Sequence, residues 1–223
     1  MMQTTPKPTR DGAAVYSPFV LSLYDIWVLA ICNSFVWCCA TTNIQLPFFK
    51  KFMGTRHLDI GLGTGYYPAN AEIPEKTQMT LMDLNPNSLK YTKERLGRPD
   101  TRTIQADVLQ PLPLTGVYDS VSIFFLVHCL PGPVENKMAL FTNLKPYLAE
   151  NGKIYGTTVL GKDVSHNWFG WILMFLYNWQ GIFSNWDDGE KEIREALCRD
   201  YMNVETRVVG RVLMFVASQP RLL

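Results

Sequence analysis

The nine residues His57-Leu58-Asp59-Ile60-Gly61-Leu62-Gly63-Thr64-Gly65 restrict the fold more than any other part of this chain. A short apolar run with strand character ends in three glycines at alternate positions. Glycine takes positive φ readily, so the backbone can bend back sharply and a ligand can approach the main chain. A helix-like stretch follows, and strand–turn–helix units of this kind build parallel sheets flanked by crossover helices. The spacing is G-x-G-x-G, which differs from the G-x-G-x-x-G of dinucleotide binders. An acid, Asp59, stands two residues before the first glycine.

The rest of the chain continues the alternation. Runs over Arg56–Ile60, Gln78–Leu84, Thr101–Ala106, Val117–Leu126, Gly152–Val159, Val204–Val209 and Val212–Ser218 read as strands. Asn85-Pro86 opens a helix, with proline at a tolerated first-turn position. Pro133 opens another that runs towards Leu148, and Asn151-Gly152 reads as its stop. The stretch from Asp187 to Asp200 reads as a solvated amphipathic helix with Ile193, Ala196 and Leu197 facing inward. The last two runs meet at Gly210-Arg211, a tight connection that suggests an antiparallel hairpin. The fold class expected is α/β, a three-layer sandwich around a seven-stranded, mostly parallel, Rossmann-like sheet. At 223 residues the chain fits one domain. It divides into a flexible tail over 1–15 and a single domain over 16–223, whose first part, 16–55, forms helices over the sheet.

Three acids carry the chemical signal. Asp59, Asp83 and Asp107 each follow or end a successive strand, so all three meet at one edge of the sheet. A carboxylate at the tip of the second strand can accept both hydroxyls of a ribose. One after the third strand can accept from an exocyclic amine, with Leu84 and Val108 on the faces of a flat ring. The stretch from Arg56 to Asp107 resembles the class I methyltransferases that use S-adenosylmethionine (SAM). The likeness extends from Tyr16 to Ser218 through Tyr24-Asp25-Ile26-Trp27-Val28-Leu29, Val127-His128-Cys129-Leu130-Pro131-Gly132 and Tyr177-Asn178-Trp179-Gln180-Gly181-Ile182-Phe183. These segments are similar to small microbial, often fungal, enzymes of secondary metabolism. The resemblance implies SAM as cofactor, with Asp59 near the methionine ammonium and Asp83 on the ribose. Asp107, Leu84 and Val108 would hold the adenine, Gly61, Gly63 and Gly65 would form the cradle, and Phe125 and Tyr24 would close it. One departure stands out: many relatives carry a polar residue, often Asn, where this chain has Phe124-Phe125.

The acceptor side is read from histidines and aromatics. His128 follows the fourth strand, where it acts either as the base that takes the acceptor's proton or as a structural residue beside the cofactor. His166 lies in a loop after the fifth strand, facing either substrate or solvent. His57 reads as a core or strand-edge residue. Trp168, Trp171 and Phe175 form either a buried helix face or, with Trp27, Trp37 and Phe124, the wall of an apolar substrate pocket. Methyl transfer to a large apolar molecule of polyketide or polyketide–amino acid type is the function expected. The alternatives are a pericyclase of the same fold, with SAM retained as an unconsumed cofactor, and a silent SAM-binding subunit.

Composition narrows the partners. Twenty-one Lys and Arg against 20 Asp and Glu give a formal charge of +1, with no basic stripe, so nucleic acid is not an expected partner. Five irregularly spaced cysteines suggest buried free thiols, no metal site and a reducing, cytoplasmic setting. The apolar run from Phe19 to Ala40 contains Asp25 and Asn33, so it reads as a packed helix, as a lid or a homodimer element, rather than a stable membrane span.

Overall fold

The computed structural model describes residues 25–221. The expectations placed on the 1–15 tail, on 16–24 and on Tyr24 fall outside them, as does the side chain of Trp27.

Seven strands form one sheet: β1 (Arg56–Ile60), β2 (Gln78–Asp83), β3 (Arg102–Gln105), β4 (Tyr118–Phe124), β5 (Leu148–Val159), β6 (Tyr201–Val209) and β7 (Val212–Pro220). Their spatial order is β3-β2-β1-β4-β5-β7-β6. The first five pair in parallel, and β7 runs antiparallel between β5 and β6. The central strands are apolar on both faces because helices cover both sides. Leu58, Val121, Ile123 and Ile154 are all fully buried. The chain passes from β1 outward to β3 and then returns to the other side of β1. A crevice therefore opens at the carboxyl ends of β1, β2 and β4, the usual place for a ligand in such sheets.

The helices are α1 (Asp25–Val36) and α2 (Thr41–Gln45), both wound with the wider π spacing, then α3 (Leu46–Phe52), α4 (Tyr66–Asn70) and α5 (Pro86–Leu96). They continue with α6 (Val134–Lys137), α7 (Ala139–Leu144), α8 (Trp168–Trp179) and α9 (Glu190–Asp200). Asn85 caps α5 by accepting from the Asn87 N–H at 2.9 Å, and Gly97 ends it in the left-handed conformation. Val36, Trp37, Leu173, Met174, Phe183, Val212 and Met214 make one core beneath α1 and α8. Each such side chain contributes roughly 1.5–3 kcal/mol by leaving water. The hairpin turn at Gly210 (φ +60°) leans on that layer, where Arg211 N–H donates to Trp37 O at 2.8 Å.

Several boundaries differ from the sequence reading. β5 begins at Leu148, so Asn151-Gly152 lies inside the strand, beside a register shift in its pairing with β4. The helix opened by Pro133 is broken into α6 and α7. The last helix starts at Glu190, because Asp188 is held in a buried ion pair with Lys137 at 2.8 Å. The cysteines divide: Cys32 and Cys39 are buried and Cys129 half-buried, while Cys38 and Cys198 are exposed, all unpaired. No helix among the described residues is long and apolar enough to cross a membrane.

Helix α8 corrects the pocket-wall reading most clearly. Its inner face, Gly170, Leu173 and Met174, packs on the sheet. Trp168, Trp171, Ile172, Phe175, Leu176 and Trp179 occupy the opposite face by helical spacing, with Trp168 at 76% and Trp179 at 73% exposure.

Candidate active site

The glycine turn shapes the floor of the crevice. Gly61, Gly63 and Gly65 all take positive φ (+73°, +54° and +66°), a conformation that L side chains resist. Main-chain bonds then fix the loop: Gly61 N–H donates to Met82 O at 3.0 Å and Gly65 N–H to Leu62 O at 2.8 Å. Gly65 itself caps α4 and does not face the cleft, whereas Gly61 and Gly63 line it.

Asp83 ties the loop to the second strand. One carboxyl oxygen accepts from Leu62 N–H and the other from Asn85 N–H, both at 2.8 Å. A carboxylate has about four lone-pair sites, so both oxygens keep capacity for a pair of ligand hydroxyls. Burial pushes the Asp83 carboxyl up to about 6, opposed by those main-chain donors. Asp59 lies at the tip of β1, where the Ser122 hydroxyl donates to it. Burial pushes it up to about 7, and the neighbouring charge of Asp83 adds to the rise. Two acids lining one cleft, Asp59 buried and Asp83 half-buried, each held above the carboxylate range, favour a cationic ligand. Asp107 accepts from Leu109 N–H at 2.9 Å, and Leu84, Ala106, Val108 and Leu130 give the slot beside it apolar walls. An ammonium, a diol and a flat amine-bearing ring would donate to these three acceptors in order, so the residues present fit SAM.

The far end of the cleft is apolar. Leu29, Phe124, Phe125, Leu126, Cys129 and Ile182 line it. Phe125 holds φ +56° with its N–H on Thr157 O at 2.8 Å, an unusual backbone state at the cleft wall. Phe124 belongs equally to an aromatic cluster with Phe49, Tyr67 and Tyr155, its ring 4.5 Å from that of Tyr67.

The remaining expected site residues lie elsewhere. His128 is buried behind the wall, and its Nδ1 accepts from Val159 N–H at 3.3 Å and contacts Thr158 Oγ1 at 3.1 Å. Its ring stands edge-on to Phe183 at 4.4 Å. Burial and the Lys137 charge hold it down to about 3, a setting that does not fit a proton acceptor working near neutrality. His166 is buried, not solvated, donating from Nε2 to Leu160 O at 3.1 Å between the rings of Trp37 and Trp171. Trp37 is buried against Phe183, and Trp171 stacks on Trp186. Trp37, Trp168, Trp171 and Phe175 thus form no part of the cleft wall. Among the described residues no group of His, Cys, Asp and Glu is arranged to hold a metal. The sequence reading missed Leu29, Tyr66, Tyr67, Ser88, Cys129 and Ile182 in the lining. Leu29, Cys129 and Ile182 lie in segments that carried the resemblance but were given no role there, and Tyr66, Tyr67 and Ser88 reach the cleft only through the fold.

This sheet order, with acids and a glycine turn meeting at the carboxyl ends of β1, β2 and β3, defines a class I SAM-dependent methyltransferase. A family model described as "Methyltransferase domain" matches residues 58–156. The "Physcion biosynthesis cluster O-methyltransferase" of Aspergillus chevalieri is 47% identical over 217 residues, covering 96% of this chain and 98% of its own. The "N-methyltransferase vrtF" of Penicillium aethiopicum is 42% identical over 218 residues, covering 96% and 91%. Among solved structures, the DhpI–SAH complex matches with a TM-score of 0.67 at 13% identity, covering 95% and 96%, a likeness of fold. The chain belongs to this methyltransferase family, and SAM is its cofactor.

Proposed function

We propose that the protein methylates an acidic hydroxyl, phenolic or enolic, on a large apolar natural product of polyketide or polyketide–amino acid type. The carrying observation is the division of one cleft into an acidic, glycine-floored end and an apolar end walled by Phe124, Phe125, Leu126 and Ile182. The name of the Aspergillus chevalieri relative, an O-methyltransferase, supports oxygen as the acceptor atom.

When bound, SAM supplies a methyl group on a positively charged sulfur. Asp59 would meet its ammonium, Asp83 its ribose hydroxyls and Asp107 its adenine amine, with Leu84 and Val108 on the ring faces. The apolar end would exclude water and align the acceptor, which is the larger part of what such a reaction needs. The described residues of that end hold no ready base: burial pushes the Cys129 thiol up to about 12. An acceptor that ionises near neutrality therefore fits best, and we assign His128 to supporting the wall behind Phe125, whose ring it meets edge-on at 5.7 Å.

The test is incubation with methyl-labelled SAM and apolar phenols or enols. Label in the product, with one demethylated cofactor per turnover, is the expected outcome. A product isomeric with its substrate, with SAM unconsumed, would replace this reading by the pericyclase one. SAM binding with neither result would leave a silent subunit. Residues 16–223 are read as one domain. Unpaired cysteines throughout support a cytoplasmic setting, and the apolar outer face of α8 supports a homodimer, which sedimentation across a dilution series would test.

A further inference from the structure

A line of buried polar groups runs from the cofactor cleft under the sheet. Gly54 N–H donates to Ser120 Oγ at 2.7 Å, and Ser120 Oγ lies 2.6 Å from His57 Nδ1. His57 Nε2 lies 3.0 Å from Ser122 Oγ, and the Ser122 hydroxyl donates to Asp59 Oδ1. His57, Ser120 and Ser122 are fully buried, and only Asp59 reaches the cleft. We propose that Asp59, Ser122, His57 and Ser120 form one reversible hydrogen-bond chain, in which His57 is a positioning residue that orients Ser122 towards the Asp59 carboxylate when the cofactor's ammonium is bound. The proposal rests on the assignment of Asp59 to that ammonium.

The direction follows from counting protons. Burial holds His57 far below its ordinary value, at about 3, so the ring is neutral and carries a single N–H. With Asp59 ionised, Ser122 gives its one proton to the carboxylate and must accept from His57 Nε2–H. Nδ1 is then an acceptor, and the Ser120 hydroxyl donates to it. Every proton in the line has an acceptor within the line. With Asp59 protonated, the order reverses. Asp59 O–H donates to Ser122, Ser122 to His57 Nε2, and His57 Nδ1–H to Ser120, whose own O–H stays on the serine and points out of the line. One proton is released in passing to the ionised state; Ser122, His57 and Ser120 each hold one proton before and after. Only the tautomer of His57 changes.

The other groups facing Asp59 do not supply this orientation. Asp83 on β2 and Tyr155 on β5 are its charged or titratable neighbours, and neither is a cation. Tyr155 donates to Phe49 O at 3.1 Å. The line therefore fills a place that a basic side chain would otherwise take, keeping Asp59 ready for a cation that arrives with the ligand.

The test is nitrogen NMR of the full chain with 15N-labelled histidine at pH 6, titrated with S-adenosylhomocysteine (SAH), which carries the same ammonium. On saturation the His57 Nδ1 resonance should move to the unprotonated range and Nε2 to the protonated one. Ser122→Ala should abolish that exchange. His57→Phe should weaken SAH about fivefold, the net worth of one hydrogen bond, and His57→Gln should recover part of it. If SAH binds by calorimetry yet the His57 nitrogens keep one tautomer, the proposal is wrong while the cofactor assignment stands. If Asp59→Asn leaves SAH affinity unchanged, the ammonium assignment itself fails.

Discussion

Replacing Gly65 by alanine probes the turn on which the cofactor cleft is built. Gly65 holds φ +66° and ψ 26° at the start of α4. An added Cβ would lie 2.8 Å from Thr92 Cβ and closer still to both branches of that side chain. Thr92 is fully buried on α5, so it has no free space to move into. The left-handed conformation costs a non-glycine residue about 1–2 kcal/mol. Overpacking a buried contact adds about 1–3 kcal/mol, for a total of about 2–5 kcal/mol. Denaturant titration of the full chain should show the midpoint falling with little change in slope. In a Thr92→Ala background both side-chain branches are gone and only the 2.8 Å approach to Cβ remains. The steric part then shrinks, and the alanine should cost less than in the wild type but still more than the conformational part of about 1–2 kcal/mol. An equal cost in both backgrounds would refute the packing argument, and a cost near zero would refute the conformational one.

Further outcomes follow from the site. SAH affinity should fall about tenfold from pH 8 to pH 6, because the ammonium needs Asp59 ionised and burial pushes Asp59 up to about 7; Asp83, pushed up to about 6, adds about twofold. The stability of the empty protein should run the opposite way. Acids raised on folding contribute below their unfolded values, and that contribution is lost as pH rises through 6 to 7. Calorimetry at several pH values checks the first, and thermal melts with and without SAH check the second. His128→Gln should keep turnover within about threefold and leave its pH profile unmoved, since a hydrogen-bonding side chain can still accept from Val159 N–H. A loss of a hundredfold or more, in the range of a missing general base, would return His128 to the chemistry. Trp168→Ser with Trp179→Ser should leave kcat/KM for methyl transfer unchanged, because neither residue lines the cleft. A steep rise in KM would place α8 in the acceptor site.

What the sequence disclosed divides along physical lines. The turn from Asp59 to Gly65 and the acids at 83 and 107 were legible because backbone chemistry and strand ends dictate their residue types. The hairpin at Gly210 was legible for the same reason. The break between α6 and α7 and the early start of β5 were not, since tertiary packing sets them. Trp168, Trp171 and Phe175 were misplaced because aromatic content says nothing about which side of a two-faced apolar helix meets the sheet. His128 drew attention by its position after β4, yet its burial and its bond from Val159 N–H depend on β5, 31 residues away in the chain. The line from His57 to Asp59 had one visible trace, serines at alternate positions 120 and 122 in a strand that is apolar from Val121 onward but for Ser122. Only the parallel register of β1 on β4, which sets His57 beside Ser120 and Asp59 beside Ser122, gives them meaning.

Cofactor binding turns on Asp83 presenting a carboxylate to a ribose, and calorimetry of SAH with the wild type and Asp83→Asn at pH 8 tests that most directly. Losing a charged acceptor for hydrogen bonds costs about 1.5–3 kcal/mol, so affinity should fall about 10- to 100-fold while the variant stays folded. An Asp83→Asn protein that binds SAH as tightly as the wild type would contradict the cofactor cleft described above.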